Sequence, residues 1–373
     1  MKKVHGMGIA VSTGGGTAAA RSVKIDSEMN VYEVDPLSDP RWQALINRHS
    51  EASVFHSASW VRALKESYNY SPIVLTTCRP EGALTNGVLF SRVESWLTGK
   101  RLVSMPFSDH CDPLASNPVE LDDLLLYARQ WVESRSWEYV EIRPRSHRPQ
   151  VQTGFQESLR YRIHCLDLRA NNQTLFKNFH KDSIQRKIRR AEREKLIYED
   201  GISENLLKKF YELLVITRRR HFLPPQPLSW FRALIDAFRG DLKIRIASKG
   251  DVPIASILTL AHKKSLVYKY GCSDSRFHSS GGMMLLFWNT IQEAKDKGFE
   301  ELDMGRSDVE NVGLTSFKEH WGAIGKPLVY WAYPPRSEAV LNTWQKNLLR
   351  RFVPVAPKFM LRMVGEHLYR HIG

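Results

Sequence analysis

The chain has 373 residues with 54 Lys and Arg against 40 Asp and Glu, a formal net charge of +14. That length exceeds one ordinary core and suits two domains of roughly 150 to 200 residues, while 42% hydrophobic and 25% charged residues exclude a disordered or fibrous chain. No run approaches the roughly 18 apolar residues that cross a bilayer, and the positive excess favours a polyanionic partner: nucleic acid, an anionic membrane surface or a phosphate-bearing substrate.

Met1-Lys2-Lys3 is followed by a Gly- and Thr-rich stretch without the apolar core of a signal peptide, so residues 1–26 read as a tail and the cytoplasm as the expected compartment. Pro40–His49 and Ser57–Tyr68 read as short helices, the second amphipathic through Trp60, Leu64 and Tyr68. Ser71–Thr77 and Leu84–Val93 read as strands joined by the turn residues Arg79-Pro80-Glu81-Gly82. An extended segment Leu102–Phe107, a helix Glu120–Ser134 and a strand Tyr139–Arg143 complete an α/β unit with a mixed sheet, and residues 146–172 read as the link to the next.

The second half repeats that order without residue-level self-similarity. Helices at Lys181–Glu194, Glu204–Phe222 and Ser229–Phe238 precede strands at Leu242–Ser248, Ile254–Leu260 and Ser265–Tyr270. A helix Met283–Lys297 stops at Gly298, a C-cap residue, and Glu300–Met304 is the next strand. From Ser337 onward, helices broken at Pro354 and Pro357 mix Trp344, Phe352 and Met360 with Arg350, Lys358 and Arg362. Two readings stand: a helix packed across both domains, or a basic amphipathic element on an anionic membrane.

Several segments carry candidate chemistry. Arg276-Phe277-His278-Ser279-Ser280-Gly281-Gly282 leads into a helix, so unpaired backbone N–H groups and the helix dipole suit a phosphate or pyrophosphate; a simple tight turn is the plain alternative. The run His180–Lys195 is a packed helix with a basic outer face, either merely solvated or gripping a phosphate between Arg186 and Arg190, one turn apart. His221, beside three arginines, is a candidate base or a helix C-cap residue. Asp109, in the loop Met105–Pro113, is the candidate general base, being a carboxylate able to reach a groove between domains. Its neighbours His110, Cys111 and Asp112 do not form a thiol site, because adjacent residues seldom face one another. Cys78, Cys111, Cys165 and Cys272 lack metal-ligand spacing, so no metal and no disulfide framework is expected. Asp303 and Arg306 fall where a strand stops, the usual place for site residues in open α/β sheets; the plain alternative pairs them and leaves Lys318 solvated.

The strand ending at Gly305, with Gly313-Leu314-Thr315-Ser316-Phe317-Lys318 and Trp321-Gly322 after it, resembles the FemAB-type acyltransferases of the GNAT superfamily. The similarity extends over roughly residues 30–373, and Thr217–Pro227 is similar to bacterial members linked to exosortase or exopolysaccharide gene clusters. The turn at Arg276–Gly282 departs from the usual Arg/Gln-x-x-Gly-x-Gly/Ala spacing. The resemblance implies tandem GNAT-like α/β (α+β) domains, each a mixed, mainly antiparallel sheet flanked by helices, over 27–165 and 166–335, with a basic helical tail at 336–373. It implies acyl or aminoacyl transfer onto a cell-envelope or exopolysaccharide precursor. The co-substrate would be acyl-CoA or aminoacyl-tRNA, with no tightly bound cofactor. Asp109, Asp303 and Lys318 then serve catalysis; Arg276, Gly281 and Gly282 the co-substrate; Arg186, Arg190, His221 and Arg306 the substrate. Expected partners are an anionic phosphate-bearing substrate, tRNA and the anionic inner membrane, but not DNA. A membrane-peripheral, non-catalytic binding protein of a polysaccharide or export assembly is the alternative.

Overall fold

The computed structural model describes residues 30–146, 148–335 and 351–372; the tail expected at 1–26 and the first part of the C-terminal segment lie outside them. The first half runs β1 (Tyr32–Val34), α1 (Pro40–Arg48), α2 (Ala58–Tyr68), β2 (Ser71–Thr76), β3 (Val88–Ser95), β4 (Gly99–Val103), α3 (Pro118–Ser134), β5 (Tyr139–Ile142) and β6 (Gln156–Asp167). After α4 (Asn172–Asn178) and α5 (Arg186–Arg193) the order recurs: β7 (Ile197–Gly201), α6 (Glu204–Arg220), α7 (Leu228–Phe238), β8 (Leu242–Lys249), β9 (Val252–His262), β10 (Ser265–Ser273), α8 (Gly282–Asp296), β11 (Glu301–Asp308), α9 (Val312–Glu319) and β12 (Ile324–Tyr333). A last helix, α10 (Lys358–Leu368), follows.

Local chemistry starts these helices where the sequence suggests. Asp39 accepts the Arg41 N–H ahead of Pro40, Ser57 accepts that of Trp60, and Asn117 accepts that of Val119 ahead of Pro118. Each satisfies a first-turn donor that the helix itself leaves unpaired.

The strands form one twelve-stranded sheet in the order β1-β2-β3-β4-β5-β12-β6-β11-β10-β9-β8-β7. Two pairs are parallel, β4 with β5 and β10 with β11, at the same place in each repeat. The repeats exchange their last strands: β12 pairs with β5 of the first, and β6 pairs with β11 of the second. Where the sequence reading places a linker, the structure has the central strand β6. It hides from an alternation test because Arg160 and Arg162 stand on it, half of it being exposed along the groove. β12 is disguised by Pro327, a residue that cannot donate to a ladder and usually argues against a strand.

One apolar cluster joins α1 and α2 to α6, α7 and one face of β8–β10, with Trp60 set edge-on to Trp230 at 5.3 Å. A second lies on the opposite face under α5 and α8, with Leu302 and Met304 of β11 in it. The halves therefore share a core. The C-terminal segment also packs across both. Tyr70 Oη donates to the carbonyls of Tyr369 and Arg370, Ser95 Oγ meets His371 Nδ1 at 2.9 Å, and Tyr369 Oη donates to Pro224 O at 3.1 Å. No helix among the described residues is long and apolar enough to cross a membrane.

Candidate functional site

β10 and β11 are in register only from Ser265/Glu301 to Val267/Asp303, and beyond that point each strand pairs only with its outer neighbour. Both strands are irregular where they part. β10 shifts register against β9 across Lys269, and β11 shifts against β6 between Asp303 and Arg306. Gly305 sits in that second irregularity at φ +71°, a left-handed conformation that costs a non-glycine residue about 1 to 2 kcal/mol. A β-bulge of this kind re-aims side chains and exposes backbone groups.

Into this opening the first half sends the loop between β4 and α3. Met105 and Phe107 adopt positive φ (44° and 59°), which ends β4 early and turns the chain back. Asp109 thereby meets Lys269, Oδ2 to Nζ 2.9 Å, with Arg306 Nε 3.8 Å from Oδ1. Tyr330 of β12 donates its hydroxyl to the Asp109 carbonyl at 2.6 Å and accepts from Arg306 at 2.5 Å. Burial pushes the Asp109 carboxyl up, but Lys269 and Arg306 together hold it below the ordinary carboxylate value. Burial also pulls the Lys269 ammonium down against the attraction of Asp109.

Lys318, at the C-terminal end of α9, is 2% exposed and donates to the carbonyls of Gly305 (2.8 Å) and Arg306 (2.9 Å). An ammonium has three donors, and these bonds use two of them. Burial pulls its pKa down to about 8, although Asp109 and Asp303 pull the other way. The solvated Lys318 of the plain alternative is therefore not what the structure has. Nor are Asp303 and Arg306 paired: Asp303 takes His110 Nε2 at 3.0 Å and the Gly305 N–H at 2.7 Å. Asp303 props the bulge and anchors the first half's loop through His110, while Arg306 faces Tyr161 and Tyr330.

The network continues from His110 to Asp112 (3.7 Å) and from Asp112 to Arg145 (2.9 Å). His110, Asp303 and Arg145 also line a cleft of about 800 Å³ with Val54, Ile163 and Lys326. The cleft lies between the halves on the sheet face opposite α5 and α8.

Of the other expected residues, Arg186, Arg190, Arg276, Gly281 and Gly282 lie on the α5–α8 side, whereas His221 ends α6 on the face with α7. Gly281 turns at φ +81° directly against α5, where a Cβ would stand 2.3 Å from the Lys187 carbonyl, so the turn before α8 and the basic helix are neighbours. As they stand, Arg186 is paired with Asp182 and Arg190 with Glu194, each on its own helix, rather than sharing one anion. Arg276 is held by Asp274 at 2.6 Å, and Gly282 backs onto Ile254. His221 caps α6 through its backbone N–H and makes no side-chain hydrogen bond to the rest of the site among the described residues. The structure thus brings together two sets, Asp109–Asp303–Arg306–Lys318 and Arg186–Arg190–Gly281. The sequence reading missed Lys269 and Tyr330. A lone lysine in the apolar strand Leu266–Tyr270 was the available signal for the first; the second sits on the strand that Pro327 concealed.

Comparisons with known proteins bear on the fold. Residues 178–319 match the acetyltransferase (GNAT) domain family. The fold is similar to that of FemX (15% identity, 79% of this chain and 95% of that one, TM-score 0.60). It is also similar to the C-terminal domain of a putative lysylphosphatidylglycerol synthetase from Agrobacterium fabrum (13%, 85% and 95%, 0.51). A tandem GNAT protein from the clavulanic acid biosynthesis pathway is a third neighbour (10%, 81% and 97%, 0.51). No curated protein matches the chain significantly.

Proposed function

We propose that the chain, whose residues 178–319 match the acetyltransferase (GNAT) domain family, works as a FemAB-like tandem acyltransferase that transfers an acyl or aminoacyl group from a phosphate-bearing carrier to an amine of a cell-envelope precursor. The observation that carries this reading is the buried Lys318 ammonium, fixed on the β11 bulge where β10 and β11 part, beside the Asp109–Lys269 pair. In such a transfer the amine nitrogen bonds to the acyl carbon and the ester or thioester bond breaks. The amine loses a proton, and the carrier's oxygen or sulfur gains one.

The donor approaches from the α5–α8 side. There the first-turn N–H groups of α8 have no helical partner, and Arg186, Arg190 and Arg276 supply exposed positive charge. The Tyr268 hydroxyl covers the backbone of Gly271, 1.7 Å from where a Cβ would stand, so a carrier arm on β10 meets the tyrosine ring rather than open space. Acyl-CoA and aminoacyl-tRNA share the chemistry this side recognises. The acceptor enters by the 800 Å³ cleft, and the reacting carbonyl lies in the gap. There the third Lys318 N–H meets the developing oxyanion, a contribution worth about 2.7 to 4 kcal/mol in comparable sites. Asp109, ionised and within the same polar cluster, receives the amine proton. Lysylphosphatidylglycerol synthetase and FemX, as neighbours in fold, support an envelope acceptor.

The test incubates the purified chain with labelled acetyl-CoA and, in parallel, labelled aminoacyl-tRNA, offering amino-sugar and nucleotide-linked peptide acceptors. Product with one donor that disappears in Lys318→Met supports the reading. No product with either donor, together with full function in cells of a Lys318→Met, Asp109→Asn double variant, would leave the non-catalytic binding protein instead.

A further inference from the structure

The C-terminal segment carries more charge than its length warrants. Residues 336–373 hold seven Lys and Arg against two Glu, a net +5 of the chain's +14 in about a tenth of its length. Its inner face is settled. Gly365 lies so close to the Pro225 carbonyl that a Cβ would stand 1.9 Å away, Leu361 is fully buried, and Arg362 stacks over Tyr211. That close approach fixes the rotation of α10 about its own axis, and the rotation leaves apolar side chains outward. Phe359 is 63% exposed and Met363, one turn on, 55%; Val355 just ahead of the helix is 79% exposed. Lys358, at the start of α10, and Arg370, in the turn just after it, are exposed.

A second, unrelated segment adds to this edge. The hairpin between β3 and β4 is tied to the C-terminal turn by Ser95, Thr98 and Arg101, all bonded to His371. At its tip Trp96 is 86% exposed, set edge-on to His371 at 5.3 Å, with Leu97 at 46%. An amphipathic helix and a tryptophan-bearing tip, far apart in sequence, are thus tied to one edge through His371, and Lys358 and Arg370 of the C-terminal segment are exposed.

We propose that this edge, α10 with the β3–β4 tip, docks on the surface of an anionic lipid bilayer. The apolar groups project as exposed side chains, from about half exposed at Leu97 and Met363 to mostly exposed at Val355 and Trp96. That shape suits a fluid apolar medium better than a preformed protein pocket. Partial burial of a basic amphipathic helix at the headgroup level, with tryptophan at the interface, is what such a composition favours. The charge complements anionic headgroups, each nearby Lys or Arg adding attraction that falls away within a Debye length. The inference is independent of the acyl-transfer reading, since neither α10 nor the hairpin tip touches the site.

The test is sedimentation of the full chain with vesicles of phosphatidylcholine alone and of phosphatidylcholine with about 30% phosphatidylglycerol. Binding to the anionic vesicles only, weakening as salt rises, is the expected result. Phe359→Ser with Met363→Ser should lower partitioning about tenfold or more, Lys358→Gln with Arg370→Gln several-fold, and Val151→Ser, a still more exposed apolar residue outside this edge, not at all. Circular dichroism of each variant keeps a folding defect distinguishable. Equal binding by the Phe359/Met363 variant, no binding by the wild type, or conversion by that variant of a solution dimer to monomer would overturn the proposal. The last outcome would assign the face to a second copy of the chain.

Discussion

The two parallel strand pairs occupy the same position in the two repeats and are used in opposite ways. In the first half, β4 ends at Val103, and the chain after it leaves the sheet through the left-handed Met105 and Phe107. In the second, β10 runs six residues past its last pairing with β11 before turning to α8. One repeat therefore has a gap between its central strands, and the other has spent the equivalent segment on a loop that fills the interface. The loop delivers Asp109 to Lys269 and His110 to Asp303. A duplicated fold can thus divide its labour: one copy keeps the cleft, and the other supplies the residues that close it. Among the described residues between β5 and β6, α9, which carries Lys318, has only the short 3-10 turn Val151–Thr153 as a counterpart.

The comparison breaks most visibly at the ion pair between the halves. Asp109→Ala leaves the Lys269 ammonium buried and unpaired, and should cost about 3 to 5 kcal/mol in denaturant unfolding. Adding Lys269→Met should restore most of that stability, because the uncompensated charge goes with it. A double variant as unstable as Asp109→Ala would mean that the loop is held by something else. Activity separates from stability at Lys318. Replacing it with Met should lower kcat by about 100- to 1,000-fold. Because the cation is the working form, the wild-type rate should also fall as pH rises through about 8, where Lys318 loses its proton. A rate still climbing above pH 8 would make Lys318 a base instead. Gly305→Ala tests the bulge. It forces an alanine to φ +71°, with its Cβ 3.2 Å from Asp109 Oδ2, and should cost about 1 to 2 kcal/mol.

Element order was legible because it rests on local signals. The capped starts of α1, α2 and α3 and the apolar runs of β8–β10 are read from short windows, and the repeat followed from them. The strand exchange was not legible, because it depends on two strands whose sequences look wrong for a sheet interior, one arginine-bearing and one with a proline. At the site, Asp109 and Arg306 were found by chain position, at a loop and a strand end, and Lys318 by the family resemblance of the Gly313–Lys318 segment. Their partners Lys269 and Tyr330 lie 160 and 221 residues from Asp109, and no local pattern links residues at such separations. His110 was set aside with Cys111 and Asp112 because adjacent residues seldom face one another. Its actual partner is on the other half.

That partnership gives the smallest and most specific expectation. Burial and Arg145 push the His110 pKa down, but the carboxylates of Asp112 and Asp303 outweigh them and hold it above the ordinary 6.5. A group whose folded pKa is raised binds its proton more tightly when folded, so its stabilisation is complete below the unfolded value. It drains away as pH rises from about 6.5 through the folded value. His56, His164 and His262 are shifted the other way. Their effects vary only at and below the unfolded value, and stability from them is level above it. Lys318, also lowered, makes stability rise with pH only between about 8 and 10.5. The window just above pH 6.5 therefore belongs to His110 among the shifted histidines. The urea midpoint of the wild type should fall across it, and His110→Gln should start lower at pH 6 and lose most of the slope. An unchanged slope in His110→Gln would show that the contact between the halves carries no titrating proton and that another group sets the pH dependence.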